Sequence, residues 1–377
     1  VLVIGGTYFL GRYVVEALLD AGHPVSMLNR GSAGELYALA ELRGRGAVHI
    51  RGDRSDPEAL REAMLRASSG QEGQLAVVDM IMYHPDQLEQ FLETAKTEAG
   101  WLVGHYLFVS SLSAYEACQS PDGSLFGAPP EGELHEASPS QLRGASPLPG
   151  TRPYALQKHA VHLRLLRAHE EEGFPFTALY IPGMSGPASR DGGTWDTRHW
   201  AYQLVAGSDW EWHLHELLME RRFRITAHPR HLAEVARLAI AQPHVAKGEG
   251  FHVVMGEAVT AEEFLSAIRQ KMGLEPLAMV QYSSSPAAWL GPLFAREAQK
   301  RWGIVSAAKA QRLLGWKPEA LEVWLQDTIA WWSGPAPAAA NVPLPVGSLP
   351  PELAWQLVNG VPRDEGPASR GPGEEDS

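Results

Sequence analysis

The chain opens on four apolar, β-favouring residues, Val1-Leu2-Val3-Ile4, and turns at Gly5-Gly6-Thr7. Leu10, Val14, Val15, Leu18 and Leu19 then fall on one helical face. After Ala21-Gly22 an apolar run, Val25-Ser26-Met27-Leu28, is closed by Asn29-Arg30-Gly31. Apolar positions three and four apart mark a helix with one buried side, and short unbroken apolar runs mark strands covered on both faces. The pattern predicts strand, glycine turn, helix and strand, one βαβ unit. The alternation continues with strands over Ala47–Ile50, Leu75–Met82, His105–Ser110, Pro175–Ile181 and Gly250–Val254. Between them lie helices from Pro57 to Ala67, Pro85 to Lys96, Thr151 to Glu172, and Arg230 to Ala241. Asp56 before Pro57 reads as an N-cap with proline in the first turn. Thr260 with Glu263 reads as a capping box opening a helix to Met272. Regular structure is also expected at Phe223–Thr226, and two more helices around Leu314–Pro318. Strands and helices alternating at this spacing predict an α/β, doubly wound parallel sheet, whose ligands sit beyond the carboxyl ends of the strands.

Other stretches break the pattern. Residues 117–150 are rich in Pro, Gly, Ser and Glu and read as a long surface loop. The Trp-rich 195–212 region reads equally as a substrate wall or as core. Residues 334–377 are too proline-rich and polar to pack and read as a disordered tail. In a chain of 377 residues, 45% hydrophobic and 20% charged, no apolar run reaches the roughly 20 residues that span a bilayer. The formal charge of −12 repels polyphosphate backbones, so nucleic acid is not an expected partner. Cys118 is the only cysteine, which removes intramolecular disulfides and thiolate clusters and suits a reducing cytoplasm. The chain starts inside its first strand, so a native start a few residues upstream is expected.

Three groups of residues carry candidate chemistry. Gly5, Gly6 and Gly11, with Thr7, Phe9 and Leu10 between them, join a strand to a helix N-terminus. There backbone N–H groups and the helix dipole attract phosphate, as in dinucleotide sites. Tyr8 stands where that fingerprint usually has its middle glycine. Tyr154 and Lys158 are four apart on a helix and share a face, so the ammonium favours the phenolate and makes Tyr154 a proton-transfer candidate. Ser111, just past a strand, is placed to hold a substrate oxygen, with Ser113 as understudy. At the end of the second strand, Asn29 lacks the carboxylate that would repel a 2′-phosphate, and Arg30 offers a forked donor, favouring NADP over NAD. His213, His215 and Glu216 have no third metal-ligand element at a recognised spacing and read as a half-exposed helix face; no metal is expected.

Together GGTYFLG at 5–11, RGDRSD at 51–56, FVSSLSAYE at 108–116, YALQK at 154–158 and IPGMSGP at 181–187 resemble the extended short-chain dehydrogenase/reductase superfamily, in its NAD(P)-dependent epimerase/dehydratase branch. RHLAEVA at 230–236 and the segment 309–332 are similar to the family's later parts. The resemblance implies a Rossmann-type domain over 1–185, rejoined by 223–255, and a smaller C-terminal substrate lobe over 186–333. It implies Ser111, Tyr154 and Lys158 as catalytic residues, Asp53 and Arg54 near the adenine, and Pro182 with Gly183 beside the nicotinamide. It further implies an NADP or NAD cofactor, hydride transfer on a nucleotide sugar, and a homodimer. The sequence departs from the family at Tyr8, at Met80-Ile81-Met82-Tyr83-His84 in place of an Ala-rich segment, at Tyr180 and at His231. The alternative is a non-catalytic member that binds a nucleotide as a structural or sensory ligand, with RNA association possible in that reading.

Overall fold

The computed structural model describes residues 1–31, 39–70, 73–118, 151–187, 212–215, 222, 224, 226–275, 280–283 and 304–333. Of the loop expected over 117–150, residues 119–150 lie outside these residues, as do 195–211 of the Trp-rich region, Glu216 and the tail from 334; residues 117 and 118 instead end a 3-10 helix, Leu112–Cys118. Seven strands form the central sheet: β1 (Leu2–Ile4), β2 (Ser26–Asn29), β3 (Val48–Arg51), β4 (Leu75–Asp79), β5 (Val103–Ser111), β6 (Phe176–Ile181) and β7 (Gly250–His252). Their order is β7-β6-β5-β4-β1-β2-β3, and every pairing is parallel. The order reverses between β1 and β4, which opens a crevice at their carboxyl ends, the place where such sheets bind ligands. The doubly wound α/β sheet predicted from the alternation is present.

The longer helices among the described residues are α1 (Phe9–Asp20), α2 (Pro57–Ser68), α3 (Pro85–Ala95), α4 (Pro153–Glu172), α5 (Pro229–Ala241), α6 (Ala261–Lys271), α7 (Ala308–Leu314) and α8 (Leu321–Ser333). Asp56 caps α2 through its side chain and Thr260 forms the expected capping box with Glu263. Apart from the edge strand β3, the strand residues are almost wholly buried, because helices cover both faces. The sheet is bounded by α1 and α5 on one side, which pack on each other, and by α3 and α4 on the other. That one-chain packing buries Val161, Leu165 and Leu166 of α4.

Two expectations need correction. The strand expected to run to Met82 ends at Asp79, because Asp79 turns inward to receive the amide of Ile81 at 3.1 Å and the chain leaves the sheet there. The stretch expected as a helix face at 212–215 is a strand, parallel to 280–283. Its alternation Trp-His-Leu-His already had the strand period of two.

Candidate functional site

The site is built where β1, β4 and β5 end. After β1 the chain turns at Gly5, whose φ of +86° only glycine adopts easily. Its amide donates to the carbonyl of Leu28 at 3.1 Å. The two other glycines serve packing. A Cβ on Gly11 would stand 2.2 Å from the Gly5 carbonyl oxygen, so the turn closes only around a bare Cα. A Cβ on Gly6 would meet Val15 at 2.9 Å, Met27 at 3.1 Å and Val3 at 3.2 Å. Gly6 thus faces the core, and a branched side chain there would crowd the fold itself. Thr7 and Phe9 are buried. Tyr8 is the N-cap of α1 and provides no side-chain hydrogen bond to the helix amides, while Phe9 holds the unusual φ of +29°.

At the end of β2, Asn29 Oδ1 accepts from the Gly31 amide at 3.0 Å and lies 2.9 Å from His49 Nε2. Asn29 Nδ2 is buried without a partner among the described residues, while Arg30 is exposed. Asp53 is exposed and accepts from the Ser55 amide at 2.9 Å. Arg54, expected near an adenine, is committed elsewhere. It is buried and donates to Asp79 Oδ1 at 2.7 Å, because an unpaired guanidinium could not be buried there. Tyr106 donates to the other oxygen of Asp79 at 3.0 Å.

The proposed catalytic residues come from β5 and α4. Lys158 is 2% exposed. Its ammonium donates to the carbonyls of Met82 at 2.8 Å and Val109 at 3.0 Å. Aromatic rings surround it, with centroids at 4.6 Å for Tyr83, 5.0 Å for Phe108 and 6.0 Å for Tyr154. Burial pushes its pKa down to about 7, with Asp79 opposing the fall and Arg54 adding to it. Tyr154 and Tyr83 face each other at 6.4 Å between centroids, and each is 40% exposed. Burial, with Tyr154 and Asp79 nearby, pushes the Tyr83 phenol up to about 12. Ser111 accepts from the Ser113 amide at 3.1 Å, which leaves its own hydroxyl proton to donate; Arg152 donates to Ser113 Oγ at 3.2 Å. Pro182 is buried just beyond β6.

The structure thus brings Lys158 and Tyr154 together as the helical spacing predicted, and sets Ser111 two residues beyond the carbonyl that holds Lys158. Tyr83, Met82 and Asp79 were missed. Asp79 left a signal, a lone carboxylate in the apolar run LAVVDMIM. Tyr83 left none beyond its place in a segment unlike the family's. Tyr180 and His252 are also buried, with the Tyr180 hydroxyl 2.9 Å from His162 Nδ1 and His252 Nε2 2.9 Å from the Tyr115 hydroxyl. They serve the core under β6 and β7. No group of three metal-ligating side chains occurs among the described residues, and no described helix is long and apolar enough to cross a membrane.

The switch-point edge suits a dinucleotide at the pyrophosphate and the adenosine ribose. No side chain caps the first turn of α1, where the Gly11 amide donates to the Tyr8 carbonyl at 2.8 Å, and Asn29 Nδ2 is an unspent donor at the end of β2 among the described residues. Comparison with known proteins points the same way. The structure of a UDP-glucose 4-epimerase from Thermus thermophilus, solved with NAD, aligns over 88% of this chain and 98% of its own, with a TM-score of 0.57 and 20% identity. A UDP-N-acetylglucosamine 4-epimerase from Bacillus cereus aligns over 91% and 98%, with a TM-score of 0.60 and 18% identity. Likeness at such identity speaks for the fold. A curated relative, a bifunctional pinoresinol-lariciresinol reductase of Sinopodophyllum hexandrum, is 37% identical over 68 residues. That match covers 17% of this chain and 22% of the relative. An isoflavone reductase homolog of Lupinus albus is 35% identical over a stretch covering the same shares. The profile of the NAD dependent epimerase/dehydratase family matches residues 1–207, more than half the chain, and the protein belongs to that family.

Proposed function

We propose that the protein is an NAD(P)-dependent oxidoreductase of the epimerase/dehydratase type acting on a nucleotide-linked sugar. The observation that carries this reading is the convergence of Lys158 and Tyr154 beside the end of β5, across from an uncapped helix N-terminus at the switch point. The uncapped turn of α1 with Gly5 would hold the pyrophosphate, Asn29 and Arg30 the adenosine ribose and its substituent, and Pro182 would flank the nicotinamide. When bound, the nicotinamide supplies a hydride acceptor or donor. Tyr154, exposed toward solvent, moves the proton of the substrate hydroxyl. Lys158 sets the charge beside it and would reach the cofactor ribose once the Tyr83 ring, which covers its ammonium, moves aside. Ser111, its lone pair occupied by the Ser113 amide, donates its proton to the substrate oxygen. Support for the sugar nucleotide comes from family membership and from the fold shared with UDP-sugar epimerases.

Tyr154→Phe removes only a hydroxyl. Cofactor affinity should survive, and turnover should fall by roughly 10²-fold, the usual scale for a general acid–base. Deuterium-labelled hydride exchange with UDP-sugars measures this; wild-type turnover in Tyr154→Phe removes the tyrosine from the mechanism. Arg30 is exposed at the end of β2, where Asn29 stands in place of a carboxylate that would repel a phosphate, so NADP(H) should bind more tightly than NAD(H), and Arg30→Ala should erase the difference. Equal affinities in the wild type, by calorimetry, would sink that preference.

One observation favours a second reading, a nucleotide-binding member without turnover. Ile81 packs its side chain over the Gly5 turn, 3.1 Å from where a Gly5 Cβ would be, where the family pattern carries small residues. Absence of hydride exchange across a panel of UDP-sugars, with NADP(H) still bound, would establish this reading over the first.

A further inference from the structure

We propose that the buried Arg54–Asp79 pair is a positioning device for Lys158, clamping the segment 80–83 so that the Met82 carbonyl seats the lysine ammonium at the edge of the sheet. This deepens the reading above, since Lys158 bears on a cofactor only if that reading holds. The proposal itself can be tested with no cofactor present.

The clamp has several points of attachment. Asp79 is the last residue of β4 and is fully buried. Its Oδ1 accepts both from Arg54 Nη1 at 2.7 Å and from the Ile81 amide at 3.1 Å; its Oδ2 accepts from the Tyr106 hydroxyl at 3.0 Å. Arg54 reaches past the carboxylate, and its Nη2 lies 3.6 Å from Met82 Sδ. The Arg54 backbone is tied down in turn, its carbonyl accepting from Gln90 Nε2 of α3 at 3.3 Å. One carboxylate and one guanidinium thus fix residues 81 and 82 from below. From the other side of the same residues, the Met82 carbonyl receives Lys158 at 2.8 Å and the Tyr83 ring covers the ammonium.

An ion pair this deeply buried is a poor way to gain stability. Its desolvation offsets most of its attraction, and apolar residues of the same size commonly serve as well. The pair is moreover incompletely satisfied, since Arg54 Nε is buried without a partner among the described residues. What the pair achieves that apolar residues cannot is directional: it holds one amide and one thioether at set places, and so sets the carbonyl between them. The charged groups that act on Lys158 are Asp79 from β4 and Arg54 from the segment after β3. The titratable groups packed round it are Tyr83 from the clamped segment and Tyr154 from α4, while Tyr106 of β5 is bound to Asp79.

The test is the double variant Arg54→Met/Asp79→Leu in the full chain. It removes both charges at once, so the opposing influences of Asp79 and Arg54 on Lys158 go together and what remains reports on position. Hydrogen–deuterium exchange reads the segment 80–83. Competitive amine labelling across pH, quantified on the Lys158 peptide by mass spectrometry, reads the lysine. In the folded double variant the amides of 81–83 should exchange about tenfold faster or more. The Lys158 midpoint, about 7 in the wild type, should rise by about 1 pH unit or more as the amine leaves its seat and meets water. A folded double variant with the wild-type midpoint overturns the proposal, whether or not the segment loosens. So does a shifted midpoint with the segment still protected. Should the double variant not fold, Arg54→Lys keeps the charge but loses the fork, and the same two readouts decide by the same criteria.

Discussion

Lys158 illustrates how far a single residue can be read. Its spacing from Tyr154 places both on one helical face, and the structure keeps them there. Its burial was not legible, because nothing in Tyr-Ala-Leu-Gln-Lys shows which side of α4 meets the sheet edge. Burial has a measurable consequence. The folded-state pKa is lowered to about 7 from the ordinary lysine value. Between those two values the unfolded chain binds more protons than the folded one, so stability rises with pH across that window. Below pH 7 the whole penalty of a buried ammonium is present. Lys158→Met should therefore be more stable than wild type at pH 6, on the order of 3 kcal/mol in urea unfolding, and its advantage should shrink at pH 9. An advantage that does not change with pH would show that lysine burial is not the cause. The glycines divide in the same way. The sequence identified the turn, but only the structure shows that Gly6 and Gly11 serve core and turn packing. Gly11→Ala, with its Cβ driven into the Gly5 carbonyl, should cost on the order of 3 kcal/mol in the same measurement. The Arg54–Asp79 pair was hidden for a plainer reason. Its members are far apart in sequence and meet only because β3 and β4 both end at the same edge of the sheet.

At the scale of elements the apolar pattern performed best where local and tertiary preferences agree. α2 and α6 start where their caps placed them, because Asp56 and Thr260 satisfy helix amides from within a few residues. Thr260→Ala should cost about 1 kcal/mol while Thr260→Ser costs far less, read from paired thermal melts. Equal losses in the two would mean that the methyl group, not the hydroxyl, matters. The pattern failed where a polar side chain bonds the backbone just beyond it. The apolar run through Met82 continues past the end of β4, but Asp79 takes the amide of Ile81 and turns the chain out of the sheet. That departure creates the segment on which Lys158 rests. At 212–215 the error had another origin, since two histidines drew attention to metal chemistry and away from a period-two alternation.

At the scale of the whole molecule, the buried histidines set how the fold meets acid. The buried His105, His159 and His231 and the half-buried His23 and His49 are all shifted below the ordinary histidine value, each chiefly by desolvation. His105 and His231 go furthest, to about 4. At His105 the hydrogen bonds give the reason. Thr177 donates its hydroxyl proton to the Ala246 carbonyl, so it must accept from His105 Nε2 at 2.8 Å. Nδ1 then lies buried with no partner among the described residues, and a proton added there would have no acceptor. His231 accepts the His228 amide on Nδ1 in the cap of α5, between the rings of Trp316 and Trp324, so protonation would displace the cap. Both groups are neutral in the fold and charged in the unfolded chain between pH 6.5 and 4. In that window the unfolded state binds more protons, so stability falls as pH falls. Relief of the net −12 charge acts in the opposite direction, but it is spread over the surface and screened by salt. The expected result at moderate ionic strength is a urea midpoint that declines steadily below pH 6.5, before the carboxylates titrate. The variant His105→Gln/His231→Gln, which carries no titrating group at either site, should start from a lower stability but decline less steeply across the same window. A wild-type midpoint flat between pH 6.5 and 4.5 would mean that these histidines are not held neutral by the fold.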